Sequence, residues 1–240
     1  MKKTVVLLGN YGSGKSELAL NIAVKSREKG SSVMVDLDII NPYFRSSDME
    51  NLLHEKQVDI IKPIYAGTGV EGLSLPPDVY SVFIDDHKTV VFDVGGDATG
   101  SIALGQYKRN FEMLENLEVC FVVNTCRPLS NSTDAILELI GEITATSRLD
   151  IDCIINNTNL SNETTGEVLA SGYRIIEEVS KETGIPVGYT AGTREVLKQF
   201  TEYGIRHGFS PKYIGEYIEI ERFMRRDWER FVKDAGVYNL

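Results

Sequence analysis

The chain has 240 residues, of which 42% are hydrophobic, so it is long enough to bury a sizeable core. Its formal net charge of −10 argues against binding nucleic acid or an anionic membrane through bulk charge. Its three cysteines form no C-x-x-C pair and indicate neither a disulfide framework nor a four-cysteine metal site, so we expect small buried side chains. This composition predicts one domain over residues 1–240.

The first predicted element is a short strand, Thr4–Leu8, which follows two lysines. Its apolar run of five residues is shorter than the roughly 7–15 residues that a secretory signal needs. No stretch of the sequence reaches the ~18 apolar residues of a membrane span. We therefore expect a cytoplasmic protein that does not enter the membrane.

A glycine-rich loop, the phosphate loop, follows this strand and precedes a helix predicted for Lys15–Arg27. Gly9-x-x-x-x-Gly14-Lys15-Ser16 matches the pattern G-x-x-x-x-G-K-[ST]. In such loops backbone amides and the helix dipole attract phosphate, the lysine reaches the β- and γ-phosphates, and the hydroxyl binds Mg²⁺. The pattern predicts a nucleoside-triphosphate site made by Gly9, Asn10, Tyr11, Gly12, Ser13, Gly14, Lys15, Ser16 and Glu17.

Two carboxylates stand at the end of the second predicted strand, "SVMVDLD". Asp36 and Asp38 are two residues apart, so their side chains share one face of the strand and can point at the same site. Such a pair can orient a water molecule and support Mg²⁺.

The next core strand, Thr89–Val94, also carries a carboxylate near its end. Asp93 suits a metal ion that is held through water. Gly95 and Gly96 can bring a backbone amide against the γ-phosphate, and Asp97 lies just beyond them.

Strand and helical patterns alternate over the rest of the chain. Strands are predicted at Glu118–Asn124, Asp150–Asn156 and Ile185–Thr190, and helices at Gly105–Leu114, Ser132–Thr146, Thr164–Thr183 and Arg194–Tyr203. The strands are apolar without strict alternation, which is typical of strands covered on both faces. The order predicts an α/β fold with a doubly wound, mostly parallel sheet flanked by helices. Residues from about 210 to 234 are predicted to form one long C-terminal helix.

The order of these motifs resembles the MinD/ParA and nitrogenase-iron-protein (SIMIBI) class of P-loop ATPases, over roughly residues 1–160. The resemblance implies the P-loop NTPase fold and a water molecule activated by Asp38, with Lys15 and Asp36 as the other catalytic residues. It also implies that Gly96 and Asp97 belong to the segment that senses the γ-phosphate. The metal ligands that it implies are Ser16, Asp38 and Asp93.

Two departures from that class concern assembly and cluster binding. The class usually has a second lysine after the first glycine of the loop, which reaches the nucleotide of a dimer partner, whereas this chain has Asn10. No cysteine lies near Gly100, where the resemblance would place a ligand of an iron–sulfur cluster. The sequence thus argues against a cluster and leaves a homodimer open.

The base-recognition segment follows the strand "DCIIN". GTPases commonly read guanine with N-K-x-D, but this chain has "NNTN", Asn156–Asn159, with no aspartate. An asparagine amide can both donate to and accept from adenine. In the resembling ATPases an asparagine at this strand end does so, and Asn156 matches it. The segment therefore favours ATP over GTP.

Three functions fit these features. The first is a slow Mg²⁺-dependent ATPase that acts as a nucleotide switch and drives a protein partner, for example to insert a metal or cofactor. The second is an ATP-dependent small-molecule kinase or ligase, and the third is a nucleotide-binding module without turnover. The aspartate pair and Gly96 favour the first function, because they serve water attack and phosphate sensing.

Overall fold

The computed structural model describes residues 1–37, 47–62, 78–84, 88–96 and 98–224. Asp38 and Asp97 lie outside the described residues, as does the chain after Met224. The predictions made for those positions therefore remain predictions.

One eight-stranded sheet, with its strands in the order β3-β2-β4-β1-β5-β6-β7-β8, forms the centre of the described chain. Every pair of neighbouring strands is parallel. The strands are β1 Thr4–Leu8, β2 Ser31–Leu37, β3 Asp59–Ile61, β4 Lys88–Val94, β5 Leu117–Val123, β6 Cys153–Asn156, β7 Val187–Gly192 and β8 Glu216–Glu219.

Helices connect the strands, as parallel pairing requires. They are α1 Lys15–Arg27, α2 Ser47–Glu55, α3 Asp78–Ser81, α4 Ala98–Gly105, α5 Lys108–Glu112, α6 Thr133–Ser147, α7 Gly166–Thr183 and α8 Arg194–Arg206. Within the described ranges, none of these helices is both long and apolar enough to cross a membrane.

Two apolar layers cover the two faces of the sheet. On one face, Val5 and Leu7 of β1 pack in a cluster with Leu18 of α1. On the other face, Val6 and Leu8 pack in a cluster that includes residues of α6 and α7. Because successive residues of β1 are buried on opposite faces, the strand is a continuous apolar run, and the predicted doubly wound α/β fold is confirmed.

The long helix predicted from Ser210 is wrong over its described part. Pro211–Tyr213 forms a single 3₁₀ turn, and β8 then pairs with β7 at the edge of the sheet. Gly215 separates the two with φ +68 and packs against the backbone of Gly188, which ends any helix there. The periodic spacing of apolar residues was therefore misleading, because the sheet edge offered this segment backbone hydrogen bonds.

Candidate nucleotide site

The phosphate loop lies at the carboxyl end of β1, in the middle of the sheet. Gly9, Gly12 and Gly14 have φ of +140, +75 and +88, values that other residues rarely adopt. A Cβ on Gly9 would lie 3.2 Å from the carbonyl carbon of Val122 in β5 and closer still to its oxygen. The glycines of the motif are therefore required by the backbone itself.

The Lys15 amine lies inside this loop. Lys15 Nζ donates hydrogen bonds to the carbonyl oxygens of Gly9, at 3.0 Å, and Asn10, at 2.9 Å. Lys15 is only 6% exposed, so its charge is buried within the loop. Lys15 is also the first residue of α1, whose N-cap, Gly14, has no side-chain cap. An anion can therefore approach both the amine and the positive N-terminal end of α1.

Two of the three predicted carboxylates come together beside the loop. Asp36 of β2 and Asp93 of β4 are directly paired in register, and Asp93 is also paired with Leu7 of β1. Paired residues of parallel strands point to the same face, which here is the face that α1 covers. Asp93 is only 3% exposed. Ser16 and these two carboxylates supply oxygen donors, which are the ligands that Mg²⁺ prefers.

Gly96 contacts the phosphate loop directly. A Cβ on Gly96 would lie 2.6 Å from Cα of Tyr11 and 2.8 Å from the carbonyl carbon of Asn10. The backbone after β4 therefore touches the backbone of the loop. This contact places Gly96 against the phosphate loop, and its role in sensing the γ-phosphate stays a prediction. Its neighbour Asp97 lies outside the described residues.

We expect Gly96→Ala to weaken nucleotide binding about tenfold or more, because the added methyl group must displace loop backbone at a cost of ~1–3 kcal/mol. Calorimetric titration with nucleotide and Mg²⁺ measures the loss. Gly141→Ala is the matched control, since a Cβ there has no described atom within 4 Å. Equal affinity in the two variants would show that the loop tolerates the methyl group.

The segment Asn156–Asn159 is hydrogen-bonded to the phosphate loop, but through Asn157, which was not among the predicted site residues. Asn157 Nδ2 donates to the carbonyl oxygen of Ser13 at 2.7 Å. Asn156, the predicted base reader, is buried, and its Oδ1 accepts from the amide of Thr158 at 3.1 Å. One acceptor of Asn156 is thus used within its own turn. The only signal for Asn157 in the sequence was its place in the run "NNTN".

Asn124, which follows β5, ties this turn to the neighbouring strand. Its Oδ1 accepts from the amides of Cys126 and Asn159, both at 3.1 Å. Its Nδ2 donates to the carbonyl oxygen of Asn159 at 3.1 Å. The carboxyl ends of β5 and β6 are therefore held together next to the phosphate loop.

Arg127 is a second residue that the sequence analysis missed. Its Nε donates to the carbonyl oxygen of Gly12 at 3.0 Å, across the exposed side of the phosphate loop. The loop is thus contacted by Lys15 from inside, by Asn157 from one neighbouring turn and by Arg127 from another. Nothing in the sequence near Arg127 marked it, because the contact spans 115 residues.

Glu17 faces away from the loop, although the sequence placed it among the nucleotide-binding residues. Its carboxylate accepts from the amides of Phe223 at 2.7 Å and Met224 at 3.0 Å. Burial raises its pKa, against the lowering effect of these two hydrogen bonds. One turn later, Asn21 bonds both the amide and the carbonyl oxygen of Glu221. The side chain of Glu17 therefore fastens the segment after β8 to α1, and only its backbone amide remains a candidate for phosphate binding.

Comparison with known proteins supplies a fold but not a family. No protein-family model and no curated protein sequence matches the chain. Among solved structures, it is similar to the cell division protein FtsY of Thermotoga maritima, with a TM-score of 0.53, 14% identity and coverage of 82% of this chain and 63% of that one. The signal recognition particle receptor FtsY of Elizabethkingia anophelis gives 0.53 and 16%, with 82% and 60% covered. FlhF complexed with GTP and Mg²⁺ gives 0.51 and 15%, with 83% and 69% covered.

At 14–16% identity, these similarities show that the chain shares the α/β fold of those structures. The predicted P-loop fold is therefore confirmed. The chain spans about three fifths of the length of the two FtsY structures, 63% and 60%.

Proposed function

We propose that this protein binds a nucleoside triphosphate with Mg²⁺ and hydrolyses it slowly, as a switch that acts on a protein partner. The observation that carries the proposal is the buried Lys15 amine, held inside a glycine loop beside the paired Asp36 and Asp93. A buried cation at a helix N-terminus, with carboxylates at the ends of nearby strands, suits an anionic ligand together with its metal ion.

Ser16 and Asp93 would hold the Mg²⁺ ion, and Asp38 is proposed as a further ligand from its place in the sequence. A bound Mg²⁺ ion neutralises charge that develops on the phosphate oxygens. The hydroxyl of Ser16 and the Lys15 amine belong to adjacent residues at the start of α1, so one rigid element positions both. Asp38 is also proposed to orient the attacking water, with Asp36 supporting it.

We propose ATP as the nucleotide, although FlhF was solved with GTP. In the N-K-x-D pattern an aspartate offers guanine two acceptor oxygens, and Asn159 stands at that place here. Its Oδ1 accepts from the amide of Ser161 at 3.2 Å, and its Nδ2 donates to the carbonyl oxygen of Asn157 at 2.6 Å. An amide already used in this way is a poor reader of the two guanine N–H groups.

The switch role is supported by the contact between Gly96 and the phosphate loop. Because the two backbones touch, a phosphate group that displaces the loop can also displace Gly96. Such a segment can present different surfaces to a protein partner before and after hydrolysis. Insertion of a metal or cofactor into another enzyme is one task that a switch of this kind could drive.

Steady-state phosphate release from ATP and from GTP, measured in parallel with and without Mg²⁺, tests the proposal. We expect slow, Mg²⁺-dependent phosphate release from ATP and a rate at least about tenfold lower from GTP. The reason is that losing one good hydrogen bond to the base costs ~1.4 kcal/mol. The Lys15→Ala variant gives the background rate. Release that prefers GTP would contradict the assignment of Asn156 to adenine and the argument from Asn159. ATP binding without release would favour a module that only binds nucleotide.

A further inference from the structure

A cluster of side chains of the types that can bind a metal ion lies on the face of the sheet covered by α1, apart from the nucleotide site. It consists of Glu118 and Cys120 of β5 and Cys153 of β6, which each offer one ligand atom, and these atoms all lie within 4.8 Å of one another. Both cysteines are buried and Glu118 is half-buried. The sequence analysis treated the cysteines separately, because 33 residues separate them.

The sheet register creates this cluster. Cys120 and Cys153 are directly paired between β5 and β6, so both side chains point to the same face. Glu118 lies two residues before Cys120 and shares that face by the alternation of the strand. In the adjacent strand β1, Val5 is paired with Glu118 and Leu7 with Cys120. Leu7 therefore stands between Cys120 and Asp93, which separates the cluster from the carboxylates of the nucleotide site.

The sulfur spacing suits a tetrahedral ion. The two Sγ atoms are 3.5 Å apart. In a tetrahedral zinc site with Zn–S bonds of about 2.3 Å, two sulfur ligands stand about 3.8 Å apart. The thiols of Cys120 and Cys153 therefore need to separate by only a few tenths of an ångström. Sulfur ligands select zinc-like, thiophilic cations over the Mg²⁺ proposed for the nucleotide site.

Residues around the cluster orient the carboxylate of Glu118 and leave space for the sulfur of Cys153. Glu118 Oε1 accepts from the hydroxyl of Tyr189 in β7 at 2.9 Å, and Oε2 accepts from the amide of Lys2 at 3.0 Å. Carboxylates that bind metals are commonly oriented by such hydrogen bonds. At Gly188 a Cβ would lie 2.9 Å from the sulfur of Cys153, so only glycine leaves that sulfur its present space.

We propose that Glu118, Cys120 and Cys153 form a binding site for one thiophilic divalent cation of the zinc type. Three protein ligands leave the fourth tetrahedral position for water or another small ligand. Packing alone accounts for two small buried thiols, but not for a carboxylate oriented beside them by a buried tyrosine. The site does not depend on nucleotide, because all of its ligands come from β5 and β6.

Titration of the reduced, metal-free protein with Co²⁺, followed by competition with Zn²⁺, tests this site. We expect one equivalent of Co²⁺ to give sulfur-to-cobalt charge-transfer absorption and the intense visible bands of a tetrahedral site, and Zn²⁺ to remove both. Cys120→Ser and Cys153→Ser should each weaken binding at least about 100-fold and reduce the charge-transfer absorption at saturation, because one sulfur ligand remains in each. Cys126→Ser is the matched control and should bind normally, because Cys126 is not part of the cluster.

Two further variants keep the test independent of folding damage in the sheet. Glu118→Gln preserves the size of a half-buried side chain, and Tyr189→Phe removes only the hydroxyl that orients it. We expect each to lower metal affinity about 10- to 100-fold while the sulfur-to-cobalt absorption persists at saturation. The proposal is overturned if the native protein gives no such absorption, or if Cys126→Ser abolishes it. It is also overturned if mass spectrometry of the protein isolated without reductant shows a Cys120–Cys153 disulfide in place of a metal ion.

Discussion

Replacing Lys15 with alanine is expected to reduce nucleotide hydrolysis by about 10²- to 10³-fold or more. An effect of this size is typical when an enzyme loses one preorganised hydrogen-bond donor that stabilises the charge developing in the transition state. In the present structure this amine is buried and bonded to the carbonyl oxygens of Gly9 and Asn10. A bound phosphate group would accept a charge-assisted hydrogen bond from this amine directly, without an intervening water molecule. We therefore expect weaker nucleotide binding as well as slower turnover.

The measurement is phosphate release at saturating Mg²⁺, combined with calorimetric titration of the nucleotide. Lys29→Ala provides the matched control, because Lys29 is an exposed lysine just beyond the end of α1. Thermal unfolding of both variants separates a loss of function from a loss of fold, since Lys15→Ala also leaves two loop carbonyl groups without this donor. Normal turnover in a folded Lys15→Ala protein would refute the assignment of the loop.

The phosphate loop could be predicted from the sequence because its chemistry is local. Gly9, Gly14, Lys15 and Ser16 stand within eight consecutive positions, and the strand and helix on either side have clear patterns. The carboxylates were harder to predict. Asp36 and Asp93 could each be placed near a strand end, but their direct pairing follows from the strand order, which no local pattern contains.

The residues that were missed are those whose role depends on long-range contacts. Asn157 and Arg127 reach the loop across 144 and 115 residues. Glu17 was named from the sequence, but as a nucleotide-binding residue, because its contact with backbone amides more than 200 residues away could not be foreseen. The pairing of Cys120 with Cys153 depends on register in the same way. Periodicity also gave the wrong prediction for β8. The spacing of its apolar residues suits a helix, but the segment pairs instead with β7 at the edge of the sheet.

Replacing Asp38 with asparagine is expected to leave ATP binding nearly intact while turnover falls by about 10²-fold or more, as for the loss of a group that positions and deprotonates water. Asp38 itself lies outside the described residues, so the prediction rests on the sequence and on the position of its neighbour. Asp36, two residues earlier, is paired with Asp93 and already occupies the position beside the metal ligand. The resemblance to the MinD/ParA class assigns the attacking water to Asp38, which is the next carboxylate along the chain.

Comparison of Asp38→Asn with Asp36→Asn distinguishes these two roles. If Asp36 supports the metal site, its variant should need a higher Mg²⁺ concentration and regain much of its rate when Mg²⁺ is raised. The Asp38 variant should remain slow even when added Mg²⁺ offsets the loss of this metal ligand, because the group that positions the water and takes its proton is still missing. Unchanged turnover in Asp38→Asn would move water activation to another residue. Rescue of both variants by Mg²⁺ would instead make the two aspartates equivalent parts of one metal site.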